Sequence, residues 1–307
     1  MFTLVDRLSR HRYGHAMSAK SSDAPSRPRL IAELIRLPTQ TGTFLLLLPT
    51  LWALVLASHG RPDPILLIIF AAGSFLMRSA GVILNDAADR QLDRQVERTR
   101  ARPLASGRLP LGTALAVLLL LLAIAGGLLL LLDRLALLLS PIALLLAAVY
   151  PFTKRILPLP QAVLGMAFGW GAVMAWAAAR GTLEPQAWLL FGGTVAWAIA
   201  YDTIYAMQDL ADDQRIGIRS SAILFGQWTW LAVAVSFGLM ALCLGAAGWL
   251  SGIGVIFYGV LAASCGFVSQ QIRTLRGPVS PLLALSMFRQ HTWIGWAILA
   301  GLWLGFL

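Results

Sequence analysis

Two acid-rich segments carry the residue types and spacings that could do chemistry. The first reads RSAGVILNDAADRQLD over residues 78–93. On an α-helix Asn85, Asp89 and Asp93 recur every four residues, Asp86 lies beside them, and Arg78 falls on the same stripe two turns earlier. This spacing predicts a row of oxygen ligands along one helix face.

The second segment reads DTIYAMQDLADD over residues 202–213. Asp202, Tyr205, Asp209 and Asp213 are separated by three, four and four residues, so a helix would place them on one face as well. Each segment comes directly after a long apolar run. The matching positions favour one shared site over two unrelated loops.

Stacked carboxylates repel one another, and burial near a bilayer is costly unless cations compensate their charge. Neither segment contains His or Cys, and oxygen ligands alone select Mg²⁺ over Zn²⁺. The pattern predicts metal ions that bridge a diphosphate between the two segments. The alternative, solvated loops with helix-capping acids, is disfavoured because eight of the fourteen acidic residues fall here: Asp86, Asp89, Asp93, Glu97, Asp202, Asp209, Asp212 and Asp213.

Basic residues interleave with these acids. Arg binds phosphate oxygens through paired N–H groups, and Lys acts as a point charge. Lys154, Arg155 and Arg78 lie at helix ends or inside an apolar run, which makes them the preferred phosphate candidates. Most of the others are predicted only to set membrane orientation: Arg90, Arg94, Arg98, Arg100, Arg102, Arg215 and Arg219.

The composition places these segments in a membrane protein. Of 307 residues, 58% are apolar and only 12% are charged, and the mean hydropathy is +0.74. A soluble domain carries roughly a quarter charged residues, so a soluble enzyme, a disordered chain and a secreted disulfide scaffold are excluded. Continuous apolar runs such as residues 115–132 differ from the alternating strands of a β-barrel. The predicted fold class is all-α, polytopic and membrane-embedded.

Nine apolar runs predict nine transmembrane helices in a bundle of two pseudo-repeated four-helix halves plus a ninth helix. Only Asp133 and Arg134 separate the third run from the fourth, which predicts a tight hairpin. Gly165 and Gly169 form a G-x-x-x-G pair that would permit close helix packing. The runs cover residues 41–58, 64–85, 111–132, 135–150, 160–179, 187–208, 228–250, 252–270 and 289–307.

Lys and Arg in the short loops predict the orientation. Of the 24 Lys and Arg residues, 20 fall on the side of the N-terminus, whereas the opposite loops hold only Arg61, Arg134 and Arg180. This predicts a cytoplasmic N-terminus and cytoplasmic acid loops at 85–107 and 202–226. The net charge of +10 is therefore a topology signal, and nucleic acid is not an expected partner.

The polar residues 1–29 are predicted to be a flexible cytoplasmic segment that precedes a membrane domain at 30–307. Residues 30–38 have the apolar face of an interfacial helix. Asp6 and Asp23 argue against an organellar transit peptide, because such peptides are poor in acids. A bacterial inner membrane is therefore favoured over a mitochondrial one.

The two acid segments resemble the aspartate-rich motifs of the UbiA superfamily of intramembrane prenyltransferases. The likeness extends from about residue 30 to the C-terminus, and further blocks resemble the branch that prenylates 4-hydroxybenzoate in ubiquinone synthesis. The matching blocks are RSAGVILNDAADRQLDRQVERTRARPLASG (78–107), YDTIYAMQDLADDQRIGIRSSAILFG (201–226), RLPTQTGTFLLLLPTLW (36–52), YPFTKR (150–155) and LPQAVLG (159–165).

The resemblance implies a helical bundle with a lipid-facing side opening and a cavity capped by the two acid loops. It implies transfer of a polyprenyl group from polyprenyl diphosphate to the ring carbon ortho to the hydroxyl of 4-hydroxybenzoate, or of a related aromatic acid, with two Mg²⁺ ions. The implied metal ligands are Asn85, Asp86, Asp89, Asp93, Asp209 and Asp213. The implied catalytic residues are Asp89, Asp93, Asp209, Asp213, Lys154 and Tyr150, and the implied substrate-binding residues are Arg36, Arg78, Arg94, Lys154, Arg155 and Asp202.

Within this scheme we expect Arg155 to pair with the carboxylate of the aromatic acid while Lys154 and Arg78 face the diphosphate. The alternative for Lys154 and Arg155 is that they only reach toward the membrane interface. Other aromatic acceptors remain open. A cation-coupled transporter is the alternative from a different class, and it would place its acids near the membrane midplane.

The sequence leaves the roles of four further side chains undecided. Trp170, Trp176 and Trp197 either line a prenyl tunnel or pack within the bundle. His291 is expected to be a polar residue at the membrane interface rather than a catalytic base.

Overall fold

The computed structural model describes residues 25–307, and every regular element in that range is a helix. Residues 1–24, and with them most of the segment predicted to be flexible, lie outside the described residues. The helices are α1 (Arg27–Leu34), α2 (Thr41–Ala57), α3 (Pro64–Ala88), α4 (Arg90–Asp93), α5 (Leu111–Leu129), α6 (Arg134–Thr153), α7 (Pro160–Arg180), α8 (Pro185–Ala206), α9 (Leu210–Ile216), α10 (Ser221–Phe225), α11 (Thr229–Leu250), α12 (Val255–Thr274) and α13 (Pro281–Leu304).

Seven helical segments in the described range have the length and composition to cross a membrane: α3, α5, α6, α7, α8, α12, and Ser221–Leu250, which comprises α10 and α11. Helix α2 is apolar but has only 17 residues. Helix α13 has 24 residues and carries Arg289, Gln290 and His291 in its first half. The all-α membrane class is confirmed, and the count of nine crossings and the two-half repeat stay predictions.

Most predicted span ends agree with the helices to within a few residues, but the last one is wrong. Helix α13 begins at Pro281, where Ser280 accepts a hydrogen bond from the backbone N–H of Leu283. Proline fits the first turn of a helix because its missing N–H has no partner there in any case. Arg289, the first residue of the predicted run, therefore lies inside a helix that begins eight residues earlier.

The short reversal predicted between the third and fourth runs is confirmed, but the two helices pack on α3 and α7 rather than along each other. Helix α5 ends at Leu129 and α6 begins at Arg134. The Asp133 side chain caps α6 by accepting hydrogen bonds from the backbone N–H groups of Leu135 and Ala136, both at 3.0 Å. The cap explains why four residues suffice for the reversal.

The main core lies where α2, α7, α8, α11 and α13 pack against one another. Trp52, Trp176 and Trp197 are among its largest fully buried side chains. Helices α5 and α6 stay on the outside, packed on α3 and α7, and their leucines are mostly exposed, as expected for a lipid-facing surface.

A second, smaller core fixes the C-terminal end of α3. Leu30 and Leu34 of α1 pack there with Ile83, Leu104 and Leu109. The helix predicted over residues 30–38 is present, but it begins at Arg27 and ends at Leu34, earlier at both ends than predicted. It ends there because Arg36 adopts a left-handed backbone conformation with φ of 59°. Its place at the membrane interface stays a prediction.

Close packing of α7 on α8 depends on glycine, as the G-x-x-x-G pair predicts. A Cβ at position 165 would lie 2.7 Å from Val195 Cα and 2.9 Å from Val195 O. One at position 169 would lie 3.1 Å from Phe191 O. Backbone atoms cannot swing away, so any side chain here must separate the helices.

Gly165→Ala should therefore lower the free energy of unfolding by about 2 kcal/mol, the usual effect of overpacking a tight interface. Thermal unfolding of the purified protein in detergent measures this. Gly127→Ala is the control, because its Cβ would meet nothing within 4 Å. Equal melting temperatures for the two variants would contradict the close approach.

Candidate active site

One cavity of about 990 Å³ collects residues from both acid segments. Ten of the residues predicted to act in the site line it: Arg36, Arg78, Asn85, Asp86, Asp93, Tyr150, Lys154, Asp202, Asp209 and Asp213. Three others, Asp89, Arg94 and Arg155, do not line it. The cavity continues from the acids into an apolar region that includes Leu122, Leu129, Leu132 and Phe168.

The first acid segment is a broken helix rather than the continuous one predicted. Helix α3 ends at Ala88 and the single turn α4 follows from Arg90 to Asp93. The backbone N–H of Asp89 still bonds Asn85 O at 2.9 Å, and that of Asp93 bonds Asp89 O at 2.8 Å. The four-residue spacing of the acids is therefore kept across the break.

Two guanidinium groups hold the buried carboxylates of this segment. Arg36 Nη2 lies 3.0 and 2.8 Å from the two oxygens of Asp86. Arg102 Nη1 bridges Asp86 Oδ1 at 3.0 Å and Asp93 Oδ2 at 2.9 Å. The side chains of Asp86 and Asp93 are only 2% and 9% exposed, so these cations compensate two charges that water barely reaches.

Asp89 is fully buried and, seen from the cavity, lies behind Lys154. The Lys154 ammonium donates to Asp89 Oδ2, and Lys154 itself lines the cavity. Arg155 Nη2 donates to Ala88 O at 2.7 Å and to Asp89 Oδ1 at 3.4 Å. Arg155 therefore contacts the acid segment from outside the cavity wall.

The second acid segment is also interrupted. Helix α8 carries Asp202 and Tyr205 and ends at Ala206, and Asp209 precedes the short helix α9 that carries Asp213. The backbone N–H of Asp213 bonds Asp209 O at 2.8 Å. Burial, and then the neighbouring Asp209 carboxylate, raise the pKa of Asp213 to about 6.

Arg98 joins the two segments. Its Nε donates to Asp209 Oδ1 at 2.9 Å, and its guanidinium lies 5.3 Å from the centre of the Tyr205 ring. The backbone N–H of Glu97 also donates to Asp212 at 3.2 Å, and Arg215 donates to Gln95 O at 2.8 Å. The loop after α4 thereby covers the end of the cavity at which the acid segments lie.

Hydrogen bonds also connect the loop after α6 to the residues that follow α9. Arg219 N donates to Lys154 O at 3.3 Å, and its side chain donates to Ile156 O. The Gln161 side chain, which lines the cavity, accepts from the backbone N–H of Ser221 at 3.3 Å. These bonds fix the position of Lys154 relative to both acid segments.

Sequence reasoning missed Arg98 and Arg102, which it treated as orientation signals. Their contacts show that they neutralise the acids of the site. The available signal was the spacing of Arg94, Arg98 and Arg102, which repeats every four residues like the acids. Arg94 differs from the other two, because its Nε donates to Ala105 O at 2.8 Å and so holds the loop.

The tryptophans and His291 take packing roles. None of Trp170, Trp176 and Trp197 lines the cavity, so the tunnel alternative is wrong for them. Trp170 Nε1 donates to Leu139 O at 2.9 Å. His291 is fully buried rather than interfacial, and its Nδ1 accepts from Trp197 Nε1 at 3.0 Å.

Within residues 25–307 no three Asp, Glu, His or Cys side chains lie close enough together to share a metal ion. The contacts give the reason, since Arg or Lys groups lie against the carboxylates. The donor chemistry nevertheless fits Mg²⁺, because the candidates that line the cavity offer only oxygen atoms. They are Asn85, Asp86, Asp93, Asp209 and Asp213.

The sequence profile of the UbiA prenyltransferase family matches residues 46–293. The chain belongs to the UbiA prenyltransferase family. Both acid segments fall inside the matched range, and with the apolar helices this makes the chain a multi-pass membrane protein.

Two curated relatives of this UbiA-family protein are both named 4-hydroxybenzoate octaprenyltransferase. The one from Polynucleobacter asymbioticus is 47% identical over 277 residues, which cover 89% of this chain and 95% of the relative. The one from Nitrosococcus oceani is 46% identical over 278 residues, which cover 91% and 97%.

Solved structures of family members have the same fold. The apo structure of a UbiA homologue from Aeropyrum pernix K1 aligns with a TM-score of 0.72 at 26% identity, over 85% of this chain and 98% of that one. A UbiA homologue from Archaeoglobus fulgidus bound to GPP and Mg²⁺ aligns with a TM-score of 0.64 at 16% identity, over 88% and 99%.

Proposed function

We propose that this protein transfers a polyprenyl group from polyprenyl diphosphate to the ring carbon ortho to the hydroxyl of 4-hydroxybenzoate, with Mg²⁺. One observation carries the proposal. A single cavity joins the oxygen ligands of both acid segments, a set of Arg and Lys side chains, and an apolar extension. The names of the curated relatives support the aromatic acceptor.

The metal ligands proposed for one ion are Asn85, Asp89 and Asp93, with Asp86 in support, and for the other Asp209 and Asp213. When bound, Mg²⁺ supplies positive charge that stabilises the departing diphosphate. To act as a ligand, Asp89 would reach the metal ion from behind the Lys154 ammonium, which it contacts.

Cationic side chains of this chain bind the diphosphate in the proposal. Arg78, Lys154 and Arg36 line the cavity and would neutralise its oxygens. Arg94 supports them by holding the loop between residues 94 and 105. Neutralisation makes the diphosphate a better leaving group, so the bond between its oxygen and the allylic carbon breaks.

Positioning and exclusion of water complete the reaction. The electron-rich ring carbon forms the new carbon–carbon bond, and loss of the ring proton restores aromaticity, so the products are prenylated acid, diphosphate and a proton. Tyr150 and Asp202 line the cavity and would border the reacting groups. The apolar extension along Leu122, Leu129 and Leu132 would hold the prenyl chain away from water, which otherwise quenches the allylic cation.

For the carboxylate of the acceptor we propose Arg155, which would turn inward from its position outside the cavity wall. Its side chain is 45% exposed, and only its Nη2 is engaged, so other N–H groups remain for a carboxylate. Arg155→Ala should lower kcat/KM for 4-hydroxybenzoate about tenfold more than for a phenol that lacks the carboxylate. Kinetics with both acceptors measure the difference.

Arg289→Ala is the matched control for this prediction. Arg289 lines the cavity from α13, whereas Arg155 contacts the first acid segment. Equal losses of Arg155→Ala on both acceptors would refute the pairing. An acceptor-selective loss in Arg289→Ala alone would transfer the role to that residue.

We further place the protein in a bacterial inner membrane with its N-terminus and acid loops cytoplasmic. The asymmetry of Lys and Arg between the loops supports this orientation. Cysteine labelling at Ser106 and at Ser58, which lie at opposite ends of the bundle, tests it. An impermeant reagent applied to the outside should label only the variant at Ser58.

Complementation tests the function in a cell. Expression in a bacterial strain that lacks 4-hydroxybenzoate polyprenyltransferase activity should restore ubiquinone. Failure by a protein that is present in the membrane would instead favour another aromatic acceptor within the family. The Asp93→Asn variant is the negative control.

A further inference from the structure

Arg78 differs from the cations that hold the first acid segment. Arg36, Arg102 and Lys154 each pair with a carboxylate of the first acid segment. Throughout residues 25–307 no carboxylate oxygen lies within 4.0 Å of the Arg78 guanidinium. Arg78 nonetheless lines the cavity from within the long helix α3. Because no carboxylate contacts it directly, the Arg78 guanidinium is available to an anionic substrate.

The guanidinium of Arg78 lies directly against Gly42, the second residue of α2. A Cβ built on Gly42 would be 2.6 Å from Nε and 2.6 Å from Nη2 of Arg78. The backbone gives no other reason for glycine, because Gly42 is not among the glycines with a left-handed φ. The space that the missing side chain leaves is the space that Arg78 occupies.

We propose that Gly42 is a positioning residue that holds the Arg78 guanidinium where the diphosphate of the substrate binds. The inference rests on the proposed function, which supplies the identity of the anion. Gly42 acts through Arg78 and need not touch the substrate itself.

A methyl group at position 42 would displace the guanidinium without threatening the fold. The atoms it meets are the far end of a flexible side chain rather than backbone, so the arginine turns aside. Alanine also favours a helix more than glycine does. The substitution should therefore change diphosphate binding while leaving thermal stability intact.

Gly112→Ala provides a matched control. Gly112 is likewise the second residue of a long helix, α5, and it does not line the cavity. A Cβ there would meet nothing within 4 Å. The two variants thus make the same chemical change at the same helical position, and only one of them meets an arginine.

The experiment uses the full-length protein in detergent with Mg²⁺ and farnesyl diphosphate as the probe, measured by calorimetry. Gly42→Ala should bind the probe roughly tenfold or more weakly, the effect of losing one charge-assisted contact. Its KM for the diphosphate should rise while its melting temperature equals that of wild type. Gly112→Ala should match wild type in both binding and stability.

A double-mutant cycle with Arg78→Ala completes the test. In the Arg78→Ala background, Gly42→Ala should weaken binding no further, because the side chain it displaces is gone. Wild-type binding by Gly42→Ala, or an equal loss in both backgrounds, would overturn the proposal. Because binding is measured without an acceptor, a wild type that binds the probe but fails to prenylate 4-hydroxybenzoate counts against the proposed function alone.

Discussion

Asp93→Asn should lower kcat/KM for prenyl transfer by about 100- to 1,000-fold, the range seen when one preorganised electrostatic group is lost. Asparagine keeps the shape of the side chain but removes the charge that the proposed Mg²⁺ requires. Asp93 lines the cavity, is nearly buried and is bridged to Asp86 by Arg102. Initial rates at several Mg²⁺ concentrations measure the effect, and the apparent Mg²⁺ affinity should fall as well.

Glu97→Gln is the control for Asp93→Asn. Glu97 lies four residues later, in the loop that follows α4, and its side chain is 86% exposed. The control should keep activity within about twofold of wild type, since exposed charges contribute little. Comparable losses in both variants would mean that general charge in the loop, rather than a ligand in the cavity, supports the reaction.

Arg102→Met should destabilise the protein by about 3 kcal/mol in the absence of divalent metal. It removes the shared partner of Asp86 and Asp93 and leaves two buried carboxylates close together. Mg²⁺ should restore much of the lost stability, because it neutralises the same carboxylates. Melting temperatures with and without Mg²⁺ measure this, and the increase on adding Mg²⁺ should be larger in the variant than in wild type.

Arg100→Met is the matched control, two residues earlier in the same loop. Arg100 is 66% exposed, and its closest approach to Glu97 is 4.0 Å. Its melting temperature should stay near that of wild type with or without Mg²⁺. An unchanged melting temperature in Arg102→Met would contradict the assignment of Arg102 as the cation that holds the two acids.

The acids of the site could be predicted from sequence because their signal is local. Asn85, Asp89 and Asp93 repeat with the period of a helix, and a chain with 12% charged residues makes such a cluster conspicuous. The membrane helices could also be predicted, because a continuous apolar run indicates a segment that is surrounded by lipid rather than water.

The cations that complete the site could not be predicted in the same way. Arg36 meets Asp86 across 50 residues, and Arg98 meets Asp209 across 111. Such contacts depend on how the loops fold over the helix ends, which no local spacing records. The positive-inside pattern also hid them, because Arg98 and Arg102 satisfy that rule whether or not they contact the acids.

The breaks in the helices near Asp89 and Asp209 could not be predicted from the sequence either. The helical period continues through Asp89 and through Asp209, so the sequence predicts unbroken helices there. The structure ends α3 at Ala88 and α8 at Ala206 and continues each with a short helix. The end of α1 depends on the left-handed conformation of Arg36, which tertiary contacts with Asp86 support.

The most direct test of the central claim is product analysis by mass spectrometry. Purified protein would be incubated with Mg²⁺, farnesyl diphosphate and 4-hydroxybenzoate, with a chelator as the parallel control. We expect a lipid-soluble product whose mass equals 4-hydroxybenzoate plus one prenyl group minus one hydrogen, substituted ortho to the hydroxyl, formed only with Mg²⁺. Absence of this product from wild-type protein that binds the diphosphate, or equal product formation by Asp93→Asn, would refute the proposed reaction.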